Sequence, residues 1–203
     1  MKGTNRRALL AAGGIAAVGT VAAVALLRKP EAPRIHTLAD AVAPPPVKVG
    51  TIAQMIRAEP PRVPAEASFQ DEGGAVRRLG DYAGRGLVVN LWATWCVPCV
   101  AEMPELQELQ ELAHKVAGEG MLVLPLSSDR GGAEVVRRFY AVHGIAGLPV
   151  LLDPRGDAAR AWGSRGLPTT IVIDRQGREL GRVEGAIDWA SDATIAELRR
   201  LVG

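Results

Sequence analysis

The chain contains only two cysteines, Cys96 and Cys99, which are separated by Val97 and Pro98. This Cys-x-x-Cys motif follows the apolar run Leu87–Trp92, which is typical of a short buried strand. After the motif, apolar residues recur at intervals of three or four and so form one face of a helix. A cysteine pair at a strand-to-helix junction is more typical of a redox-active dithiol than of a structural cross-link.

Two other uses of the pair compete with the redox interpretation. A structural disulfide across so short a loop would constrain the unfolded chain little, because its entropic contribution grows with loop length. A zinc site is disfavoured because two sulfurs are too few and no histidine lies nearby in the sequence. We therefore expect a redox-active disulfide with no bound metal and no cofactor.

The expected position of the motif assigns a role to each sulfur. If Cys96 opens the helix, its sulfur faces unpaired backbone N–H groups and the positive end of the helix dipole. Both stabilise the thiolate, which is the form that attacks a disulfide. Cys99 would lie one turn inside the helix and be less exposed. We predict that Cys96 attacks a substrate disulfide and that Cys99 then resolves the mixed disulfide.

Residues 67–203 are predicted to form one domain in which strands and helices alternate. The predicted strands are Leu87–Trp92, Met121–Leu126 and Val150–Leu152, followed by a hairpin of Thr169–Ile173 and Glu179–Val183. A final helix is predicted over Thr194–Leu201. The second strand is expected to end near Pro125, because proline is unfavourable in a central strand. This alternation predicts an α/β fold with a central mixed β-sheet flanked by helices on both faces.

Residues 1–29 are predicted to anchor the chain in a membrane. The run Ala8–Leu27 holds 20 uncharged residues, which is about the length that crosses a bilayer as a helix. Basic residues precede it, which favours a cytoplasmic N-terminus. A twin-arginine signal at Asn5–Leu10 and a secretory signal cleaved at Ala41–Ala43 are the alternatives. All three place the bulk of the chain outside the bacterial cytoplasm.

Residues 30–66 are predicted to be a Pro-rich linker. Eight of the 14 prolines lie between residues 28 and 66, and such a stretch is a semi-extended spacer. A short helix is expected over Thr51–Glu59.

The charge distribution argues against nucleic acid as a partner. Five basic residues and no acidic one lie in residues 1–29, so a net charge of +2 for the whole chain leaves −3 for the remainder. A basic surface on the domain, which nucleic-acid binding would require, is therefore not expected.

The run Asn90–Cys99, followed by Glu102–Glu105, resembles the thioredoxin superfamily. More narrowly, it resembles the TlpA/ResA-like membrane-anchored thiol–disulfide oxidoreductases, over a region from about Ser68 to the C-terminus. The resemblance implies a thioredoxin-like fold, with a strand and a helix inserted between the helix of the Cys-x-x-Cys motif and a loop containing a cis-proline.

The resemblance also implies further site residues. Pro168 matches the cis-proline that faces the disulfide, in a loop whose backbone would pair with an extended substrate segment. Thr169 and Trp95 are expected to contact substrate. Glu102 matches an acidic residue that tunes the thiols and can accept the proton of the resolving thiol, although an ordinary first-turn glutamate is the alternative. Asn90 stands where cytoplasmic thioredoxins carry a buried acid. The proton transfer is therefore expected to depend on Glu102 rather than on residue 90.

For function, the resemblance implies a protein-disulfide reductase at the inner membrane, with its C-terminal domain in the periplasm. Typical clients of the family are apocytochrome c and copper-site proteins, and a membrane electron donor of the DsbD/CcdA type is implied. The alternatives are a copper chaperone that uses the two thiolates as soft ligands, and a dithiol oxidase. Copper carriers of related fold add a histidine near the cis-proline loop, but Arg165–Thr169 contains none.

Overall fold

The computed structural model describes residues 49–117 and 120–202. The predicted anchor at residues 1–29, the two alternative signals and the linker as far as residue 48 lie outside these ranges. Between residues 49 and 202, apart from 118 and 119, no helix is long and apolar enough to span a bilayer.

The domain combines short strands with four α-helices in the described part of the chain. The strands are β1 (Ile56–Arg62), β2 (Phe69–Asp71), β3 (Val76–Arg77), β4 (Gly86–Trp92), β5 (Met121–Ser127), β6 (Leu151–Leu152), β7 (Thr169–Ile173) and β8 (Glu179–Glu184). The helices are α1 (Val97–Ala117), α2 (Gly132–His143), α3 (Asp157–Ala161) and α4 (Asp192–Val202).

All eight strands form one mixed sheet in the order β1-β8-β7-β4-β5-β6-β2-β3. The pairs β4–β5 and β5–β6 are parallel, and the other neighbours are antiparallel. The strand β6 and the helix α3 come between α1 and the loop that precedes β7. The predicted thioredoxin-like fold, with its inserted strand and helix, is confirmed.

Helices cover both faces of the sheet. Side chains alternate across a strand, so β4 contributes to two cores. Val88 and Trp92 pack in one core with residues of α1, α2 and α4. Leu87, Val89 and Leu91 pack in the other, with α3 and the short 3₁₀-helix that precedes β4. Burial on both faces explains why β4 is apolar except at Asn90.

The sheet begins earlier than the predicted domain boundary at residue 67. The strand β1 lies within residues 30–66, which the sequence assigned to the linker, and pairs with β8. The helix predicted over Thr51–Glu59 is wrong, because only Ile52–Gln54 form a single 3₁₀ turn before β1. An edge strand tolerates the two prolines of β1. Gly181 permits the pairing, since a Cβ there would lie 2.8 Å from the carbonyl oxygen of Ile56.

The second core strand is predicted as Met121–Leu126, ending near Pro125, and β5 extends one residue further, to Ser127. The C=O of Ser127 accepts a hydrogen bond from the N–H of Asp153 on the β6 side, at 2.7 Å. Pro125 lies two residues earlier, so its nitrogen faces the same side. There β6 pairs with β5 only at Leu126 and Ser127. The missing N–H of Pro125 therefore removes no hydrogen bond from the sheet.

Candidate active site

The two cysteines form a disulfide where α1 begins. The S–S distance is 2.07 Å and the Cα atoms are 5.2 Å apart. Cys96 immediately precedes α1, and its C=O accepts a hydrogen bond from the N–H of Val100 at 3.0 Å. Cys96 is 6% exposed and Cys99 is 0% exposed. Cys96 at the helix N-terminus is therefore the slightly more exposed of the two cysteines, while Cys99 is completely buried.

The loop containing Pro168 lies at the same end of the sheet as the disulfide. The Leu167–Pro168 peptide bond is cis. Thr169, which follows, pairs with Leu91 near the end of β4, and β4 leads directly to Cys96. The C=O of Pro168 accepts a hydrogen bond from the N–H of Gly185 at 2.9 Å. The backbone of Leu167 makes no hydrogen bond to any other residue that the structure describes.

The two predicted substrate-contacting residues differ in exposure. Trp95 is 69% exposed beside Cys96 and, together with the half-exposed Val97, forms an apolar rim at the disulfide. Thr169 is only 1% exposed, and its hydroxyl donates to the C=O of Gly166 at 2.7 Å. The side chain of Thr169 therefore holds the loop, and contact of Thr169 with a substrate stays a prediction.

Glu102 lies one helical turn after the motif and is completely buried. Its carboxylate accepts hydrogen bonds from Asn90 Nδ2 at 2.7 Å and from Trp189 Nε1 at 2.9 Å. Burial raises the pKa of Glu102 to about 7, against the opposing effect of the hydrogen bonds from Trp189, Asn90 and the backbone of Ile187. Complete burial distinguishes Glu102 from an ordinary solvated first-turn glutamate, so the carboxyl can gain or lose a proton near neutral pH.

Asn90 fixes the orientation of this carboxylate from the sheet. Its Nδ2 donates both to Glu102 and to Thr170 Oγ1, the latter at 2.9 Å. Both side chains are 0% exposed, and Thr170 lies opposite Asn90 on β7. The amide therefore occupies the predicted position as a neutral hydrogen-bond donor beneath α1.

Trp189 is a site residue that sequence reasoning missed. It lies in the loop between β8 and α4 and is 0% exposed. Its indole N–H donates to Glu102, and its backbone N–H donates to Glu105 Oε2 at 2.9 Å. Burial raises the pKa of Glu105, whose charge in turn raises that of Glu102. No local pattern in the sequence connects this loop with α1; the tryptophan itself was the only available signal.

Asp129 is the second residue that the sequence did not reveal. It is 4% exposed in the loop after β5 and accepts hydrogen bonds from the backbone N–H of Thr94 at 2.9 Å and from its hydroxyl at 2.8 Å. A third bond comes from the hydroxyl of Ser127 at 2.8 Å. This carboxylate therefore holds the backbone two residues before Cys96.

Asp129→Asn is expected to lower the free energy of unfolding by about 2 kcal/mol, because an amide offers one acceptor oxygen to these three donors and leaves at least one buried group unpaired. Urea denaturation measures the loss. Asp192→Asn, exposed at the start of α4, is the matched control and should change stability by less than about 0.5 kcal/mol. Equal stabilities of the two variants would contradict the role given to Asp129.

Comparisons with known proteins agree with this geometry. Thiol-disulfide oxidoreductase ResA of Geobacillus thermodenitrificans (strain NG80-2) is 34% identical over 110 residues, which are 54% of this chain and 60% of ResA. ResA of Bacillus thuringiensis subsp. konkukian (strain 97-27) is 31% identical over 115 residues, 57% of this chain and 64% of that protein. The chain thus matches somewhat under two thirds of the length of these relatives.

Solved structures extend the comparison to the fold. The pneumococcal exposed lipoprotein thioredoxin of Streptococcus pneumoniae strain TIGR4 superposes with a TM-score of 0.53 at 29% identity, covering 67% of this chain and 99% of that one. A secreted thiol-disulfide isomerase of Corynebacterium glutamicum, with a TM-score of 0.60 and 21% identity over 72% of this chain and 92% of its own, supports the fold alone.

The fold and the disulfide at the start of α1 define a thioredoxin-like protein with a redox-type Cys-x-x-Cys pair. Residues 58–195 match the Redoxin family model, and the chain belongs to the Redoxin family. The predicted resemblance to the TlpA/ResA-like oxidoreductases is confirmed by the ResA relatives.

Proposed function

We propose that this protein is a thiol–disulfide oxidoreductase that reduces disulfides of protein clients through Cys96 and Cys99. The observation that carries the proposal is the disulfide at the N-terminus of α1, in which Cys96 is slightly exposed and Cys99 is completely buried. In the reduced protein the same geometry presents the Cys96 thiolate to a client, while the buried Cys99 remains available to resolve the mixed disulfide.

The reaction balances as two exchanges. The Cys96 thiolate attacks one sulfur of the client disulfide, forms a mixed disulfide and releases the first client thiolate. The Cys99 thiolate then attacks the sulfur of Cys96 and releases the second client thiolate. Two electrons pass from the dithiol to the client, and the protein ends as the Cys96–Cys99 disulfide seen in the structure.

Glu102 serves the second exchange in this proposal. Cys99 must lose its proton before it attacks, and Glu102 is on the same helical face, three residues later. With a pKa of about 7, this carboxyl is partly ionised at neutral pH and can accept that proton. A negative Glu102 also disfavours a thiolate nearby, so the carboxyl tunes the pair as well as serving it.

Client binding is assigned to the surface around Cys96. The unpaired backbone at Leu167, next to Pro168, offers an N–H and a C=O to an extended client segment, as a strand edge does. The exposed Trp95 would cover apolar client residues beside the disulfide. Backbone pairing favours clients whose cysteines lie in extended or unfolded segments.

The setting of the reaction is proposed from the N-terminal sequence and the family resemblance. Residues 1–29 would anchor the protein in the inner membrane and hold the domain in the periplasm. Clients would be apocytochrome c or copper-site proteins. Each turnover leaves Cys96 and Cys99 oxidised, so the cycle requires a reductant, for which a membrane donor of the DsbD/CcdA type is proposed.

A stoichiometric reduction assay tests the function. The full chain is reduced, freed of reductant and mixed with insulin or an oxidised apocytochrome c peptide, and client thiols are counted. We expect about one client disulfide reduced per chain, with Cys96–Cys99 formed in equal amount. No transfer to either client would overturn the proposal. If Cu(I) is added and the chain retains one ion per dithiol without reducing the client, the copper-chaperone alternative is favoured. Net oxidation of a reduced client would favour the oxidase alternative.

A further inference from the structure

Among the residues that the structure describes, two side chains donate hydrogen bonds to Glu102. Asn90 lies on the adjacent strand, whereas Trp189 is distant in sequence. The indole Nε1 lies 2.9 Å from Glu102 Oε2, with the two residues 87 positions apart. Asn90 occupies the other oxygen, Oε1. The two carboxylate oxygens therefore have different partners, one from the sheet and one from the loop after β8.

The loop that carries Trp189 is held in place by several hydrogen bonds that do not involve Glu102. On one side, the N–H of Gly50 donates to the C=O of Ala186 at 2.9 Å, and the N–H of Asp188 donates to the C=O of Gly50 at 3.3 Å. On the other side, the hydroxyl of Thr194 in α4 donates to the C=O of Asp188 at 2.7 Å. The indole N–H is therefore preorganised largely by these bonds, which act in addition to the hydrogen bond from the backbone of Ile187 to Glu102.

We propose that Trp189 is a positioning residue of the reductase site, which holds Glu102 Oε2 through its indole N–H and favours the ionised carboxylate. The inference rests on the proposed function, because Glu102 is the group that would take the proton of Cys99. Trp189 itself touches neither sulfur in this role. It acts through the carboxyl, and the same residue fixes Glu105 through its backbone N–H.

The charged and titratable surroundings of Glu102 define what Trp189 must offset. Glu105, one turn later on α1, raises the pKa of Glu102, and Asp188 in the loop raises that of Glu105. On the sheet side, the neutral amide of Asn90 donates to Glu102 and also to Thr170. Burial and the charge of Glu105 raise the pKa of Glu102, and the hydrogen bond from the indole N–H lowers it. Loss of that N–H would therefore raise the pKa of Glu102.

Trp189→Phe removes the N–H and keeps an aromatic ring in the core. We expect the ¹³C-NMR titration midpoint of the Glu102 carboxyl, in the oxidised full chain, to rise by about one pH unit. Trp162→Phe is the matched control, because Trp162 is also buried, on the other face of the sheet, and its replacement also removes one N–H bond, to the C=O of Ala65. That control should leave the Glu102 midpoint unchanged.

An isostere separates the hydrogen bond from packing. Replacing Trp189 with benzothienylalanine exchanges the N–H for sulfur at nearly constant volume, so it keeps the test valid if Trp189→Phe does not fold. The same upward shift is expected. An unchanged Glu102 midpoint in either folded variant would overturn the proposal, because a purely structural tryptophan would not move it.

The titration does not depend on enzymatic activity, so this inference and the proposed function fail separately. The link between them is tested by the pH profile of Cys99 alkylation in reduced Cys96→Ser protein. We expect Trp189→Phe to move that profile when Glu102 is present and to leave it unchanged in the Glu102→Gln background. A shift in both backgrounds would overturn the assignment of Trp189 as acting through Glu102.

Discussion

Cys96→Ser is expected to abolish reduction of a client disulfide, whereas Cys99→Ser is expected to stop the reaction at the mixed disulfide. The difference follows from the geometry at the start of α1, where Cys96 precedes the helix and is slightly exposed, whereas Cys99 is completely buried. Without Cys96, no accessible thiolate remains in the chain, because these are its only cysteines. Without Cys99, the first exchange proceeds but nothing inside the site releases the client.

The measurement combines insulin reduction with non-reducing electrophoresis. We expect activity of Cys96→Ser to fall at least 1,000-fold, to background, since the reacting atom itself is lost. Cys99→Ser should form a covalent adduct with one client chain, which added dithiothreitol releases. The double variant Cys96→Ser/Cys99→Ser is the control and should form no adduct. Full activity of Cys96→Ser, or adducts through Cys99 alone, would reverse the assigned roles.

Expressed in cells, Cys99→Ser also identifies the client. A mixed disulfide that cannot be resolved retains the partner through purification, and its mass identifies the partner. Trapped apocytochrome c or copper-site proteins would support the proposed clients. A partner captured equally by the double variant would be attached through something other than Cys96.

The parts of the fold that could be predicted are those fixed by local patterns. The strands β4 and β7 are buried along their whole length, so β7 is a continuous run of apolar or β-branched residues and β4 is apolar except at Asn90. The face of α1 repeats every three or four residues and starts at a motif that is itself diagnostic. Such patterns lie within a window of about twenty residues and can be recognised without any knowledge of tertiary contacts.

The strand β1 and the partners of the site could not be predicted in the same way. β1 is mostly exposed and contains two prolines, so neither burial nor propensity identifies it; only its pairing with β8 does. The bonds of Asp129 to Thr94 and of Trp189 to Glu102 join residues 35 and 87 positions apart. Glu102 could be named from the motif, but its burial depends on the loop after β8 that no local pattern places.

Glu102→Gln is expected to remove a large pH dependence from the stability of the oxidised protein. The folded-state pKa of Glu102 is about 7, above the ordinary value of 4.5, so the folded protein keeps a proton that the unfolded chain releases. The stability contributed by this group is complete below about pH 4.5 and is lost as the pH rises to about 7. The wild type should lose about 3 kcal/mol over that interval from Glu102 alone.

Urea denaturation at pH 4.5 and pH 8 measures this effect. The glutamine variant has no charge to bury, so its unfolding free energy should change about 3 kcal/mol less than that of the wild type between the two conditions. Glu105, whose pKa burial also raises, is present in both proteins and cancels in the difference. Glu108→Gln, exposed on the same helix, is the control and should follow the wild type.

The same variant separates a proton acceptor from a packing group. If Glu102 takes the proton of Cys99, Glu102→Gln should slow resolution of a preformed mixed disulfide about 100-fold near neutral pH. Attack by Cys96 on a client should change much less, because that sulfur lies at the exposed helix N-terminus. Equal slowing of both exchanges, or an unchanged pH profile of resolution, would reduce Glu102 to a buried structural carboxyl.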